Sequence, residues 1–224
     1  MRIQISILHE DNHCIVVDKP AGLLVQPDRT GDATVLDWVA DDLRRRFAKP
    51  GQVFLAAAHR LDRPVSGALL LARTSKAASR LAEQFRTGRV EKTYWAWVEH
   101  APAEPEATLE HFLVKDPATH SVRTAAAHEA GARLARLHYT TRSSGAQGAL
   151  LEVRLETGRS HQIRVQLAAA GAPVTGDLRY GARRGLGAWI ALHSRRLAFD
   201  HPTRAERIVV EAPLPETWRE WGLP

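Results

Sequence analysis

The chain has 224 residues, enough to bury a sizeable core, and its 44% hydrophobic and 25% charged residues are ordinary for a globular protein. Lysine and arginine outnumber aspartate and glutamate by 31 to 25, and a pI of about 10.0 favours a polyanionic partner. A single cysteine, Cys14, excludes an internal disulfide and a cysteine-based zinc site, and no apolar run approaches the roughly 20 residues of a membrane helix. The expectation is one compact domain over residues 1–224, in a reducing cytoplasm.

Residues 1–7 alternate apolar and polar positions, which predicts a strand and excludes a signal peptide. Glu10-Asp11-Asn12-His13 then reads as a turn, and residues 14–17 as a β-branched strand that ends at the turn Lys19-Pro20-Ala21-Gly22. Thr34 and Asp37 form a capping box, followed by Val35, Leu36, Val39 and Leu43 on one helical face. Arg44-Arg45-Arg46 suits the last turn of that helix through the helix dipole alone, and Lys49-Pro50-Gly51 stops it.

The next stretch is His59-Arg60-Leu61-Asp62-Arg63-Pro64-Val65-Ser66-Gly67. Apolar runs of strand length flank it at residues 54–58 and 68–72, while Pro64 and Gly67 force a turn. A charged tetrad on a loop between two buried strands is held stiffly, with Asp62 set among arginines. Ser75 then caps a helix carrying Ala77, Leu81 and Phe85, ended by Thr87-Gly88. Glu91-Lys92-Thr93-Tyr94-Trp95-Ala96-Trp97-Val98 alternates as a strand, with Tyr94, Ala96 and Val98 on one face.

Residues 101–106 form a connection and 109–114 a strand, whereas 115–130 show no clear period and hold His120, Arg123 and His128 as a basic loop. Strands at 134–139 and 150–155 make a hairpin around Ser143-Ser144-Gly145-Ala146-Gln147-Gly148. Thr157-Gly158-Arg159-Ser160-His161-Gln162-Ile163-Arg164 turns into a helix that carries Ile163 and Leu167 inward and ends at Gly171 before Pro173. An anion near Gly158 to His161 suits that helix start. Strands at 190–193 and 197–199, separated by Arg195-Arg196, precede one at 208–210 and an end helix at 217–221. Strands and helices in this order predict an α+β fold.

His-Arg-Leu-Asp, Ser-Gly three residues later and the Leu-rich strand behind it together resemble the catalytic signature of the RluA family of RNA pseudouridine synthases. Four further elements follow the same family pattern: Lys19-Pro20-x-Gly22 ahead of a short strand at 23–25, Lys92-x-Tyr94, Thr157-Gly158-Arg159-x-His161-Gln162-Ile163-Arg164, and Gly176-Asp177-x-x-Tyr180-Gly181. Leu192-His193 and Leu197-x-Phe199-x-His201-Pro202 match as well. Pro64-Val65 and Gln26 depart from the usual form, leaving the aspartate untouched.

The resemblance implies the pseudouridine synthase catalytic fold, a mixed and largely antiparallel sheet flanked by helices, of the single-domain type without an N-terminal S4 domain. It implies Asp62, Tyr94 and Arg164 as the catalytic set, with Tyr94 against the target base and Arg164 paired with Asp62. His59, Arg60, Arg63, Arg159 and His161 are the expected RNA- or base-binding residues. The implied reaction breaks the N1–C1′ bond of a uridine, turns the uracil and joins C5 to C1′. It requires no cofactor, and its partner is a stem-loop of ribosomal or transfer RNA; no metal is expected from the chain's own residues, and a monomer is expected while the oligomeric state stays open. One aspartate suffices as nucleophile at C1′ or as a base removing the 2′ proton, two routes that stay open. No phosphate loop, zinc pattern, EF-hand or Gly-x-Ser-x-Gly elbow is present, and His9 and His13 make a poor metal pair. The competing readings are a non-catalytic RNA-binding module or RNA chaperone on the same scaffold, and a basic hydrolase of free nucleosides.

Overall fold

A computed structural model describes residues 5–48 and 51–220. In chain order it forms strands β1 (Ser6–Glu10) and β2 (Cys14–Lys19), helix α1 (Val35–Phe47), strands β3 (Ala56–Ala57) and β4 (Ser66–Ala72), and helix α2 (Ser75–Arg86). Strands β5 (Glu91–Val98), β6 (Glu106–Lys115), β7 (Val122–Ala125), β8 (Arg133–Gly145) and β9 (Gly148–Leu155) follow, then α3 (Gln162–Ala169) and a 3-10 turn at Leu178–Tyr180. Strands β10 (Leu192–Asp200) and β11 (Arg207–Glu211) and the short helix α4 (Glu216–Glu220) close the chain. The fold is α+β, and the chain divides into two compact units, Met1–Val90 with Ser194–Pro215 and Glu91–His193 with Glu216–Pro224.

In the first unit β2 pairs antiparallel with β1 and β4, β3 pairs with β4, and β11 with β10, which lies beside β4. All seven residues of β4 are buried, which explains why its sequence is a continuous apolar run and not an alternation. Ala68, Leu70 and Ala72 pack with Val16, the α2 residues Ala77 and Leu81, and Phe199, Ile208 and Val210. Helix α1 starts with both capping-box hydrogen bonds, Thr34 Oγ1 accepting from Asp37 N and the Asp37 carboxylate accepting from Thr34 N. Its Arg44 and Arg46 pair with Asp41, Asp42 and Glu10, so the basic run at its end is structural. Gly67 is fixed by space and backbone: its φ is 109°, and a Cβ there would stand 2.7 Å from Ser194 N.

The second unit orders its strands β5-β9-β8-β6-β7, all antiparallel, with α3 packed on β6 and β7. Tyr94, Ala96 and Val98 are buried as their alternation predicts, although Trp97 is buried too and donates to Gln147 O. Helix α3 buries every residue from Gln162 to Leu167, and Gln166 donates to Leu109 O and Ala135 O.

Several expectations are corrected. Strand β1 runs through His9 and Glu10, which the sequence assigned partly to a turn, and residues 1–4 of the expected strand lie outside the described residues. Residues 23–25 form only one bridge, Leu24 with Thr34. The run at 54–58 contributes only the two-residue strand Ala56–Ala57, with Ala58 N donating to Leu70 O of β4, and Phe54 is 48% exposed. Thr74, not Ser75, caps α2 by accepting from Ala77 N. The unassigned stretch after residue 115 includes β7, and the β8–β9 turn is shorter than expected by three residues on its first side and one on its second, closing at Gly145 and Gly148. Arg195-Arg196 does not separate two strands: β10 passes straight through it, since Arg195 pairs with Glu211 and donates to Ala212 O. The end helix is confined to α4; Lys49, Pro50 and Trp221 lie outside the described residues. Among the described residues no helix is long and apolar enough to cross a membrane.

Candidate active site

The predicted site residues are distributed over both units, with His59, Arg60, Asp62 and Arg63 in the first and Tyr94, Arg159, His161 and Arg164 in the second. In the first, Asp62 sits half-buried on the loop between β3 and β4, and its carbonyl accepts from Val65 N at 3.0 Å. Leu61 and Val65 on either side are buried, pinning the loop by its apolar residues. Arg60 is exposed, and among the described residues its side chain makes no hydrogen bond or ion pair.

Two anchors stiffen this loop. The His59 ring accepts from Leu70 N through Nε2 at 3.1 Å and stacks on Phe85 of α2, with ring centroids 4.8 Å apart. On the other side, the fully buried Lys19 donates from Nζ to Pro20 O (2.9 Å), Leu23 O (2.7 Å) and Arg63 O (3.1 Å). Gly22 N also donates to Arg63 O at 2.8 Å, and Arg63 returns a bond from Nε to Gly22 O at 2.9 Å while pairing with Asp32. Burial pushes the Lys19 ammonium down to about 7. The sequence read Lys19-Pro20-Ala21-Gly22 as a plain turn; its lysine ties that turn to the Asp62 loop. Arg63 likewise spends its guanidinium on the protein.

In the second unit Arg164 is buried and forms a bidentate ion pair with the buried Asp177, Nε to Oδ2 at 2.6 Å and Nη2 to Oδ1 at 2.9 Å. Its guanidinium also lies over the Tyr180 ring, 4.9 Å from the centroid. The Tyr180 hydroxyl accepts from Val122 N at 3.0 Å and shares a 2.6 Å hydrogen bond with His161 Nδ1. His161 has a left-handed backbone, φ 52°, at the start of α3. Arg159 is exposed, its Nε donating to Leu134 O and its backbone N to Gln162 Oε1. Asp177 and Tyr180 were read as part of a glycine turn, and their part in holding Arg164 was missed; the signal was the Gly-Asp-x-x-Tyr-Gly spacing itself.

His9, Asp11 and Cys14 bring three potential ligand atoms within 4.8 Å of one another in the first unit. Asp11 is already occupied as an acceptor within the fold. Burial works against the Asp11 charge, yet bonds from the Cys14 and His13 amides and from His9 and His201 hold its carboxyl well below the usual range. Burial pushes the Cys14 thiol up to about 12, so its sulfur stays protonated. A separate open groove of about 490 Å³ between α2 and residues 200–202 is lined by none of the predicted site residues, and its acids Glu83 and Asp200 are paired with Arg86 and Arg207.

Comparison with known proteins gives the arrangement a context. The family profile described as RNA pseudouridylate synthase matches residues 13–169. The chain is similar to the uncharacterized RNA pseudouridine synthase ZMO0505 of Zymomonas mobilis, 35% identical over 97% of each chain. It is 34% identical to the uncharacterized RNA pseudouridine synthase YhcT of Bacillus subtilis, over 95% of this chain and 69% of that protein. Ribosomal large subunit pseudouridine synthase D of Xanthomonas campestris pv. campestris is 35% identical, over 96% and 67%. Among solved structures, human RNA Pseudouridylate Synthase Domain Containing 4 superposes with a TM-score of 0.80 at 25% identity, covering 97% of this chain and 93% of that one.

Proposed function

The chain belongs to the RNA pseudouridylate synthase family and is an isomerase acting on RNA, and from that premise we propose that Asp62 carries out the reaction on uridines in loops of ribosomal or transfer RNA. The observation that supports this is the double anchoring of the Asp62 loop, by the His59 ring on one side and the Lys19 ammonium on the other. A carboxylate that must meet C1′ gains from a loop whose shape is set before the substrate arrives.

In this reading the nucleotide is flipped out, Asp62 acts at the ribose as nucleophile or base, and N1 leaves C1′. The freed uracil turns against Tyr94 and C5 bonds to C1′, any bond from Asp62 to the sugar breaking as it does; the proton lost from C5 is balanced by the one N1 gains. Atoms balance without water, metal or organic cofactor. Arg164, clasped by Asp177, is the catalytic arginine of this reading, and the exposed Arg60 fills the place the base vacates. Arg159 and His161 contact the RNA backbone at the start of α3, and His59 and Arg63 shape the Asp62 loop.

Asp62→Asn tests this directly. The amide keeps the size and loses the charge, so pseudouridine formation on transcribed ribosomal and transfer RNA should disappear while RNA affinity stays near the wild-type value. Substantial turnover in the purified variant would remove Asp62 from the mechanism.

A further inference from the structure

The protein has two lysines set into its strands whose ammonium groups burial disfavours, and they are treated differently. Lys19 is fully buried and surrounded by three carbonyl acceptors. Lys92 of β5 is half-buried, and among the described residues its Nζ makes no hydrogen bond and no ion pair. Burial alone pushes it below the ordinary lysine range, with no charged group contributing. A desolvated cation without a partner is costly, so an anion that meets it recovers more than one meeting a solvated surface lysine.

The surroundings indicate which anion fits. Lys92 shares its strand face with Tyr94 two residues on, about 7 Å away along the strand. Its Nζ lies over Gly158, 3.7 Å from where a Cβ would stand, at the exposed turn Gly158-Arg159-Ser160. Only five of the chain's 31 basic residues are lysines, and a compact ammonium suits a single oxygen where a guanidinium fork needs a wider opening.

We propose that Lys92 is a binding residue that holds a phosphodiester next to the target nucleotide, while Tyr94 on the same strand face takes the base. This rests on the uridine-isomerising reading above. Lys92 then fixes the sugar-phosphate on one side of the base, and its contact forms as soon as RNA binds. It therefore acts on KM more than on kcat.

The test uses Lys92→Met and Lys92→Arg with a synthetic stem-loop RNA whose loop uridine the wild type converts. Lys92→Met should raise KM about ten- to hundred-fold, the usual worth of a hydrogen bond to a charged group, with kcat little changed and Lys92→Arg partly restored. Its melting temperature without RNA should not fall, because removing an unpartnered ammonium costs the fold nothing; a lower melting temperature with unchanged KM would make Lys92 structural and overturn the proposal. Neutral methylphosphonate linkages, placed one at a time near the target with a 2′-O-methyl on the preceding sugar, should weaken the wild type at one position and barely affect Lys92→Met there. Equal losses in both proteins at every position overturn the contact. The salt dependence of RNA binding separates this from the parent reading: losing one phosphate contact lowers the slope by about 0.7, whether or not the wild type converts the uridine. An unchanged slope refutes Lys92, whereas a reduced slope in a protein that converts no uridine retains Lys92 as an RNA contact and refutes the isomerase reading.

Discussion

The Arg164–Asp177 pair gives the sharpest quantitative expectation. Side-chain exposures of 7% and 2% place both charges out of water, and two bonds of 2.6 and 2.9 Å join them in a fork. Asp177→Asn keeps the volume, but an amide offers a single acceptor and turns an N–H group toward the guanidinium donors. Breaking one side of a buried pair costs about 3–5 kcal/mol, because the other charge stays buried without the two bonds the pair supplied. For a chain of this length that corresponds to a melting temperature about 6–20 °C lower. Urea denaturation of Asp177→Asn, Arg164→Met and the double variant measures it. Each single variant should show the loss, and the double variant should lose clearly less than the sum, since removing both charges leaves neither stranded. The loss should also be the same in about 0.05 and 0.5 M salt, as buried charges are weakly screened. A single-variant cost below about 1 kcal/mol, typical of exposed pairs, or strict additivity, would refute the reasoning.

Arg60→Ala should slow turnover more when the target uridine is locked in a duplex than in a hairpin loop, as expected of a side chain that replaces a flipped base; equal losses would mean that it only orders the loop. Lys19 sets a pH dependence of stability. Its ammonium titrates near 7 in the folded protein against 10.5 for the ordinary group, so the unfolded chain holds the extra proton between those values and stability rises with pH across that window. Denaturation curves of the wild type and Lys19→Met from pH 6 to about 10 should rise more steeply in the wild type, and parallel curves would contradict it.

What was legible in the sequence is what short-range chemistry decides. Thr34 and Asp37 are three residues apart and satisfy each other's amides, so the start of α1 follows from the chain alone. The alternation of β5 and the motif strings around Asp62, Tyr94 and Arg164 are local in the same sense, and such strings in order carry the family resemblance. Structure decided whatever depends on a partner far along the chain. Nothing near Arg195-Arg196 reveals that Glu211 at the end of the next strand and Ala212 just after it receive it and let β10 continue. Residues 54–58 looked like a full strand, yet only two of them find β4 opposite. Lys19 looked like a turn residue until Arg63, 44 positions on, offered its carbonyl. Asp177 looked like part of a glycine turn until the helix 13 residues before it presented Arg164. A buried charge is stable only where its partner is, and sequence records the charge without recording the meeting.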